Sequence, residues 1–384
     1  MIFTIGASIA FFLAFLLCTK KSNTPADKVL AAWMSVTGFH LMLFYLNIVT
    51  QHYDYPFLLG LEIPLPLVHG AFLFYYVSHL TRQTTWSSRF WGIHILPALL
   101  AYAAIIPFMM APSSYKIYVF QHEGIGYEGL IMSIYVAMLL LNTSYILASL
   151  HLLKKHRKRV REAFSTTERI NLHWLQYLIY GLSAIYATTL LGNDYWIHGM
   201  TVAFVLLIGY LSVHQVGIFL QTEPDPAVIA SSADHIMDLN DAAEDKKKYA
   251  KSGLNEEAAA QLQQDLSRLM EREKRFAEAE LTLADLAKLL SVHPNYLSQV
   301  INEKEGMNFY DYVNTQRVEA FKTLLDDPAN QKYTLLGLAY QCGFNSKSAF
   351  NRQFKKVTGY SPSEYLQRLK KDSPTFQDAA MGTI

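Results

Sequence analysis

Seven long apolar runs in the first 217 residues constrain the fold of this chain more than any other feature. A helix needs roughly 17–25 mostly apolar residues to cross the hydrocarbon core of a bilayer. The runs have that length, and short polar breaks separate them; they lie at about 2–18, 29–49, 57–80, 90–111, 130–153, 173–191 and 196–217. We therefore expect an all-α chain whose residues 1–217 form a seven-transmembrane-helix bundle, a membrane domain for anchoring and sensing.

The loops between these runs divide by charge. If the N-terminus lies outside, the inner loops hold 12 Lys and Arg residues, whereas the outer loops hold only Lys116. Cytoplasmic loops of membrane proteins carry such an excess of positive charge, and the core of a soluble all-α protein would have no need of it. The pattern predicts an outside N-terminus. Because the number of spans is odd, everything after residue 217 is expected in the cytoplasm.

The residues after the last apolar run change character twice. Residues 218–254 are rich in acidic side chains, contain Pro224 and Pro226 and show little apolar periodicity, which is typical of a flexible linker. Residues 255–280 carry apolar side chains at helical spacing among Ala, Glu and Gln, which predicts an amphipathic helix. Residues 372–384 are expected to form a disordered tail.

Two segments of the polar half are similar to each other at an offset of 52 residues. "TLADLAKLL" begins at Thr282 and "TLLGLAYQC" begins at Thr334. Each combines a threonine suited to cap a helix with apolar residues at positions i, i+3, i+4 and i+7. A turn follows in both copies, and Gly343 suits the left-handed residue that ends a helix. A second helix then follows, in which Leu297 and Phe350 occupy equivalent buried positions.

The second helix of each copy has a polar stripe opposite its buried face. Asn and Gln can pair with both edge atoms of adenine, and Arg with those of guanine, while Lys355 and Lys356 are suited to contact phosphates. The pattern predicts helix-turn-helix units at about 282–303 and 334–357. Helical hairpins that merely pack together or bind a protein are the alternative, and two matching stripes in tandem favour DNA. The stripe residues are Asn295, Ser298, Gln299 and Asn302 in the first unit and Ser348, Asn351, Arg352 and Lys355 in the second.

Charge distinguishes the two units. Residues 281–330 hold 4 basic and 7 acidic residues, whereas residues 331–371 hold 8 basic residues and 1 acidic residue. We therefore expect the second unit to supply most of the electrostatic affinity for DNA. A helix over 308–325 is expected to fix the spacing of the two units, and "SPSE" at 361–364 predicts a capping box at the start of a last helix.

Three segments of the polar half resemble a known family. "RVEAFKTLL", "GLAYQCGFNSKSAFNRQFKKVTG" and "SPSEY" are similar to signature elements of the DNA-binding domain of AraC/XylS transcription regulators, over residues 281–366. The resemblance implies an AraC-type domain, here 255–371 with its leading helix, whose two helix-turn-helix units enter adjacent major grooves. It places base contacts at Asn295, Ser298 and Gln299 in the first unit and at Lys347, Ser348, Asn351 and Arg352 in the second.

The resemblance also carries expectations for the whole protein. The membrane half departs from the soluble sensing domains of most members and is similar to membrane-anchored bacterial ones, which implies the bacterial inner membrane. The expected partners are double-stranded promoter DNA, the lipid bilayer, RNA polymerase, a second copy in a homodimer, and an unknown small ligand or signal. No cofactor and no enzymatic activity are expected.

Two ionisable residues mark a candidate sensing site in the third run. Glu62 and His69 lie on one helical face beside Pro64 and Pro66, which break the helix. Ionisable groups within a membrane mark functional sites or act as interhelical hydrogen-bonding pairs, and both alternatives stay open here.

Several other kinds of site lack support in the sequence. The chain has no HExxH motif, so a zinc-protease site has no support. The seventh run contains no lysine to form a retinal Schiff base. Only two cysteines are present, which excludes a disulfide scaffold. A one-component transcriptional regulator is the leading hypothesis. A transporter-like membrane protein with a regulatory cytoplasmic helical domain is the alternative.

Overall fold

The computed structural model describes residues 1–21, 23–49, 54–81, 91–167, 172–190, 193–214, 254–330 and 332–372. The chain divides into two compact units. The first comprises Met1–His156 and Leu172–Glu223, and the second comprises Arg157–Asn171 and Pro224–Ile384. Of the predicted flexible linker, 218–254, and the predicted disordered tail, 372–384, residues 218–253 and 373–384 lie outside the described residues. Asp372 ends the last helix.

The described residues of the first unit form helices joined by turns. A 3-10 turn, Pro56–Leu58, precedes the third helix, and a π-helical turn, Tyr45–Val49, follows the second. Helix α6 ends in the second unit, which begins at Arg157. The helices are α1 Ile2–Thr19, α2 Pro25–Phe44, α3 Pro66–Leu80, α4 Trp91–Met109, α5 Ser113–Gln121, α6 Glu128–Ala163, α7 His173–Thr189 and α8 Asp194–His214.

Helices lie at all seven predicted spans. By length and composition, five helical segments within the described residues can cross a membrane: Ile2–Thr19, Pro25–Asn47, Gly92–Met109, Glu128–Ala163 and Asp194–Leu211. The helices at the third and sixth predicted spans, α3 and α7, have 15 and 17 residues. The third is shorter than the predicted 57–80 because Pro66 begins the regular helix, as the predicted proline break requires.

The second unit contains seven helices within its described residues after position 253. Helix α9 ends seven residues before the predicted boundary at 280, because Lys274 adopts a left-handed conformation at φ 50° and a 3-10 turn, Arg275–Ala277, follows. The helices are α9 Glu256–Glu273, α10 Leu283–Leu289, α11 Pro294–Lys304, α12 Phe309–Asp326, α13 Leu335–Gln341, α14 Lys347–Thr358 and α15 Pro362–Asp372.

The predicted caps begin these helices. Thr282 forms a capping box with Asp285, and Thr334 accepts a hydrogen bond from the backbone of Gly337. Ser361 and Glu364 form the predicted box ahead of α15, with Ser361 N–H donating to Glu364 Oε2 over 2.7 Å. Each cap satisfies amide groups that have no partner within the helix.

Two small cores meet on one long helix. Helices α9, α10 and α11 bury side chains such as Leu266 and Leu297 against the first half of α12, which contributes Val313. Helices α13 and α14 bury Phe350 and their other apolar side chains against the second half, which contributes Phe321. Because α12 belongs to both cores, it joins the two helical pairs through packed contacts.

The turns within the two helical pairs use different residues for the same backbone geometry. Gly343 has φ 91°, as predicted, and Ser291 has φ 56° at the equivalent turn of the first pair. A Cβ on Gly343 would lie 2.5 Å from Phe276 O and 2.8 Å from Ala277 O. Glycine is therefore required at position 343 by close packing as well as by the left-handed backbone.

Candidate functional site

The first candidate reading helix, α11, presents its predicted residues on a half-buried face. His293 caps the helix, with its Nδ1 accepting from Asn295 N–H over 3.2 Å. Gln299 Nε2 donates to Glu303 Oε1 over 3.2 Å, and Asn302 Nδ2 donates to Ser298 Oγ over 3.3 Å. These amide and hydroxyl groups therefore share their hydrogen-bonding capacity with each other and with an acidic neighbour.

The second candidate reading helix, α14, is more exposed. Ser346 caps it by accepting from Ala349 N–H over 3.1 Å, while Ala349, Phe350 and Phe354 face the core. The first residues of a recognition helix are those that meet base edges in a major groove. All six predicted contacts on α14 are exposed: Lys347, Ser348, Asn351, Arg352, Lys355 and Lys356.

Two of these basic side chains are held by the linker helix α12. Arg352 Nη2 donates to the hydroxyl of Tyr310 over 3.1 Å. Lys356 Nζ forms an ion pair with Asp311 Oδ1 at 2.7 Å, with the lysine side chain 55% exposed. Binding to bases or phosphates would compete with these two contacts. Tyr310 and Asp311 were missed in the sequence because they lie 42 and 45 positions before their partners, outside both helix-turn-helix patterns.

Comparisons with known proteins locate a family resemblance in this same region. A family model described as a helix-turn-helix domain matches residues 286–368. The HTH-type transcriptional regulator YijO of Escherichia coli is 37% identical over 96 residues, which cover 25% of this chain and 32% of that protein. YtdP of Bacillus subtilis, also an HTH-type transcriptional regulator, is 33% identical over 91 residues, 24% of this chain and 11% of that protein.

The second unit carries an AraC-type helix-turn-helix domain. Among solved structures, the C-terminal domain of AraT, a response regulator from Geobacillus stearothermophilus, is 28% identical and covers 30% of this chain and 88% of that one, with a TM-score of 0.24. The chain spans about a tenth to a third of the length of the two curated relatives. The first unit lies outside the residues that the domain model matches.

Every predicted DNA-contacting residue lies within the matched part of the AraC-type domain. The structure brings the predicted residues of each unit onto one helix, α11 or α14. The predicted side chains on α11 are partly hydrogen-bonded to one another and to Glu303. Those on α14 are exposed and include basic residues. It stays a prediction that the second helix-turn-helix unit supplies most of the electrostatic affinity for DNA.

Glu62 and His69, the sensing candidates outside the AraC-type domain, line the same cavity of about 700 Å³ in the first unit. They have different hydrogen-bonding partners: Asn47 Nδ2 donates to Glu62 Oε2 over 3.0 Å, whereas Trp33 Nε1 donates to His69 Nδ1 over 3.1 Å. Asn47 lies in the π-helical turn after α2, a kind of distortion that is frequent at functional sites.

His69 belongs to a row of three buried imidazoles. His40 Nδ1 lies 3.3 Å from His69 Nε2, and its Nε2 lies 3.4 Å from His198 Nε2. Trp33 can only donate, so with neutral rings each imidazole in turn donates to the next. The row ends where His198 Nδ1 donates to Asp194 O over 2.8 Å. His40 and His198 were missed in the sequence because three helices bring the rings together.

An amide side chain of another helix bonds to the backbone at the start of α3. Asn142 of α6, fully buried, accepts from Gly70 N–H over 2.7 Å and donates to Pro66 O over 3.1 Å. A Cβ on Gly70 would lie 2.3 Å from Asn142 Oδ1. Asn142 thus fastens α6 to the start of α3, next to the cavity. Among the described residues, no group of three or more His, Cys, Asp or Glu could hold a metal ion.

Proposed function

We propose that this protein is a membrane-bound one-component transcriptional regulator. It binds promoter DNA through two helix-turn-helix units, and a signal sensed in or across the membrane sets its output. The seven predicted spans anchor it in the bacterial inner membrane with the N-terminus outside. The AraC-type domain reads DNA from the cytoplasmic side.

The observation that carries the proposal is the sharing of α12 between two cores, each of which supports one candidate reading helix. A rigid joint of this kind suits two helices that must enter successive major grooves at a fixed separation. Asn295, Ser298 and Gln299 read bases in one groove.

In the other groove Lys347, Ser348, Asn351 and Arg352 read bases. Lys355 and Lys356 contact phosphates, which adds affinity without sequence information. The exposure of these side chains on α14 supports their role.

The cavity that contains Glu62 and His69 supports the sensing part of the proposal. Its volume lies within the range of small-molecule sites, about 300–1,000 Å³. Aromatic and aliphatic side chains surround a few polar groups there, as in such sites. An unknown small ligand or a proton acts at this place, and the cytoplasmic domain responds through DNA, RNA polymerase and a second copy of the chain.

A footprint tests the DNA-binding part. The full chain in lipid nanodiscs is first used to select its sites from random duplexes, and the selected site is then probed with a nuclease. We expect two protected major-groove segments about 10 bp apart on one face of the duplex. Protection of a single segment would contradict the tandem proposal, and the double variant Asn351→Ala/Arg352→Ala is the control that loses selection.

Reporter fusions test the membrane topology. Alkaline phosphatase, which folds only outside the cytoplasm, is fused after residue 122 or after residue 165. We expect activity from the first fusion alone, because residue 122 lies in a predicted outer loop and residue 165 in the basic inner loop. The reverse result would overturn the proposed orientation.

A further inference from the structure

The residues after α6 lie along the entry to the first helix-turn-helix unit. Phe164 pairs with Thr282 in an isolated antiparallel bridge. The backbone N–H and the hydroxyl of Ser165 both donate to Leu281 O, over 3.1 and 2.6 Å. The hydroxyl of Thr166 donates to Ala279 O over 2.6 Å. The two segments are more than 110 residues apart in the chain, yet both belong to the second compact unit.

Buried polar side chains of α12 complete the contact. Asn314 is 2% exposed and its Nδ2 donates to Ser165 O over 3.0 Å. Arg317 is 1% exposed and its Nη2 donates to Ser165 Oγ over 3.1 Å. Buried polar groups are costly unless they have hydrogen-bonding partners. Ser165, itself 1% exposed, supplies such partners to both side chains.

Arg317 also ties this contact to the base of α10. Its Nε donates to Phe276 O and its Nη2 to Glu278 O, each over 2.7 Å. The guanidinium therefore joins three stretches of backbone: the turn after α9, the approach to Thr282 and the segment after α6. A guanidinium suits this position because its planar fork offers five donors in fixed directions.

We propose that residues 164–167 are a docking strand, by which the loop after membrane helix α6 holds the DNA-binding domain at the base of its first reading unit. The site that accepts the strand consists of the backbone of residues 279–282 and the side chains of Asn314 and Arg317. Docking fixes the start of α10 against α12, the helix that spaces the two readers. The strand is thus a second attachment between the proposed membrane domain and the DNA-binding domain, besides the predicted linker at 218–254.

Disulfide trapping in membranes tests the docking. The paired variant Phe164→Cys/Thr282→Cys is made in full-length protein with Cys18→Ser and a protease site inserted into residues 218–253. Residues directly opposite in an antiparallel pair have Cα atoms about 4.5–5.5 Å apart, a separation that a disulfide accepts. Cys342 remains in place, because burial raises the pKa of its thiol to about 11 and keeps it unreactive.

After mild oxidation and proteolysis, we expect the paired variant to run as one full-length band on a non-reducing gel. Phe164→Cys/Tyr333→Cys is the matched control, because Tyr333 is 46% exposed and lies elsewhere in the same unit. The control should separate into two fragments. Equal cross-linking of both pairs would overturn the proposal, as would no cross-linking by the paired variant while each single cysteine still reacts with a maleimide.

Variants of the strand test its effect on DNA binding. Ser165→Ala/Thr166→Ala removes two hydroxyl donors, whereas Thr166→Ser retains both and serves as the control. We expect the double variant in nanodiscs to bind its selected operator about 2- to 10-fold more weakly, the factor for one lost net hydrogen bond, and Thr166→Ser to bind as the parent does. The double variant is also combined with the cysteine pair at 164 and 282. If the double variant abolished the cross-link but left the affinity for DNA unchanged, docking of the strand would have no role in positioning the first helix-turn-helix unit.

Discussion

Arg352 and Lys356 stand one helical turn apart on α14, and each is already bonded to a neighbour on α12. Arg352 meets the hydroxyl of Tyr310, a neutral partner that DNA can displace at small cost. Lys356 meets the carboxylate of Asp311, a charged partner that also repels phosphates. Binding to DNA through these two side chains would have to break both contacts.

Substitution of these two residues should separate base reading from phosphate binding. Arg352→Ala is expected to weaken binding to the selected site by about 1–3 kcal/mol and to reduce the base preference at one base pair. Lys356→Ala should weaken all sequences alike and lower the slope of log affinity against log salt concentration. Binding titrations on selected and random duplexes at several salt concentrations measure both effects. Identical behaviour of the two variants would show that the reading face is assigned wrongly.

Removal of the carboxylate opposite Lys356 should have the opposite effect. Asp311→Asn frees the lysine and deletes a negative charge near the DNA backbone, so affinity for random duplex is expected to rise by about 0.5–1 kcal/mol at low salt. The salt dependence should become steeper. Asp326→Asn, also a single charge removed from α12, is the control. Equal gains from both variants would reduce the effect to net charge.

At the scale of elements, α9 is part of the first core. Leu262, Leu266 and Met270 are buried among side chains of α10, α11 and α12. The apolar face that predicted an amphipathic helix is therefore occupied within one domain. A dimer formed through this face would first have to separate α9 from the first reader.

Truncation of one buried leucine measures this contribution. Leu266→Ala should destabilise the fragment 254–384 by about 2–5 kcal/mol, because the side chain is fully buried and leaves a cavity. Urea unfolding followed by far-UV circular dichroism gives the midpoint and slope. Gln264→Ala, an exposed position on the same helix, should leave the midpoint unchanged. A small effect of Leu266→Ala would mean that α9 packs loosely in solution.

Local signals in the sequence predicted most of the helix starts. Contacts between distant residues could not be predicted from the sequence. Thr282, Thr334 and Ser361 cap their helices as predicted, because capping depends on residues within one turn. The left-handed turn at Ser291 was missed, since serine gives no such signal. The hydrogen bond from Arg317 to Ser165 was also missed, because contacts between residues 152 positions apart leave no periodic pattern in the sequence.

For the whole molecule, the cavity of the first unit is the place where we propose that a signal acts. Glu62 is bonded to Asn47 in the π-helical turn, and His69 belongs to the row of imidazoles. The neutral row has one direction of donation from Trp33 to Asp194. A proton added to any ring would place two N–H groups face to face and disrupt it.

Reporter output should reveal whether this cavity governs the promoter. Glu62→Gln keeps the shape of the side chain and removes its ability to ionise, so it separates sensing from folding. We expect Glu62→Gln and His69→Ala to lock output from the selected promoter in one state across growth conditions, at matched membrane abundance. Phe57→Leu, at an exposed position of the same unit, is the control. Normal switching in both variants would leave the pair a structural role only.

The sharing of α12 between two cores also bears on how such a domain can be inherited. A recombination event between the two readers must cut through α12, and the offspring would join halves of a helix that were selected against different cores. Such hybrids would carry mismatched packing on both sides of the crossover. Exchange among relatives is therefore expected to transfer the two readers together, with the breakpoint outside α9–α15, so that new promoter specificities arise by substitution on α11 and α14.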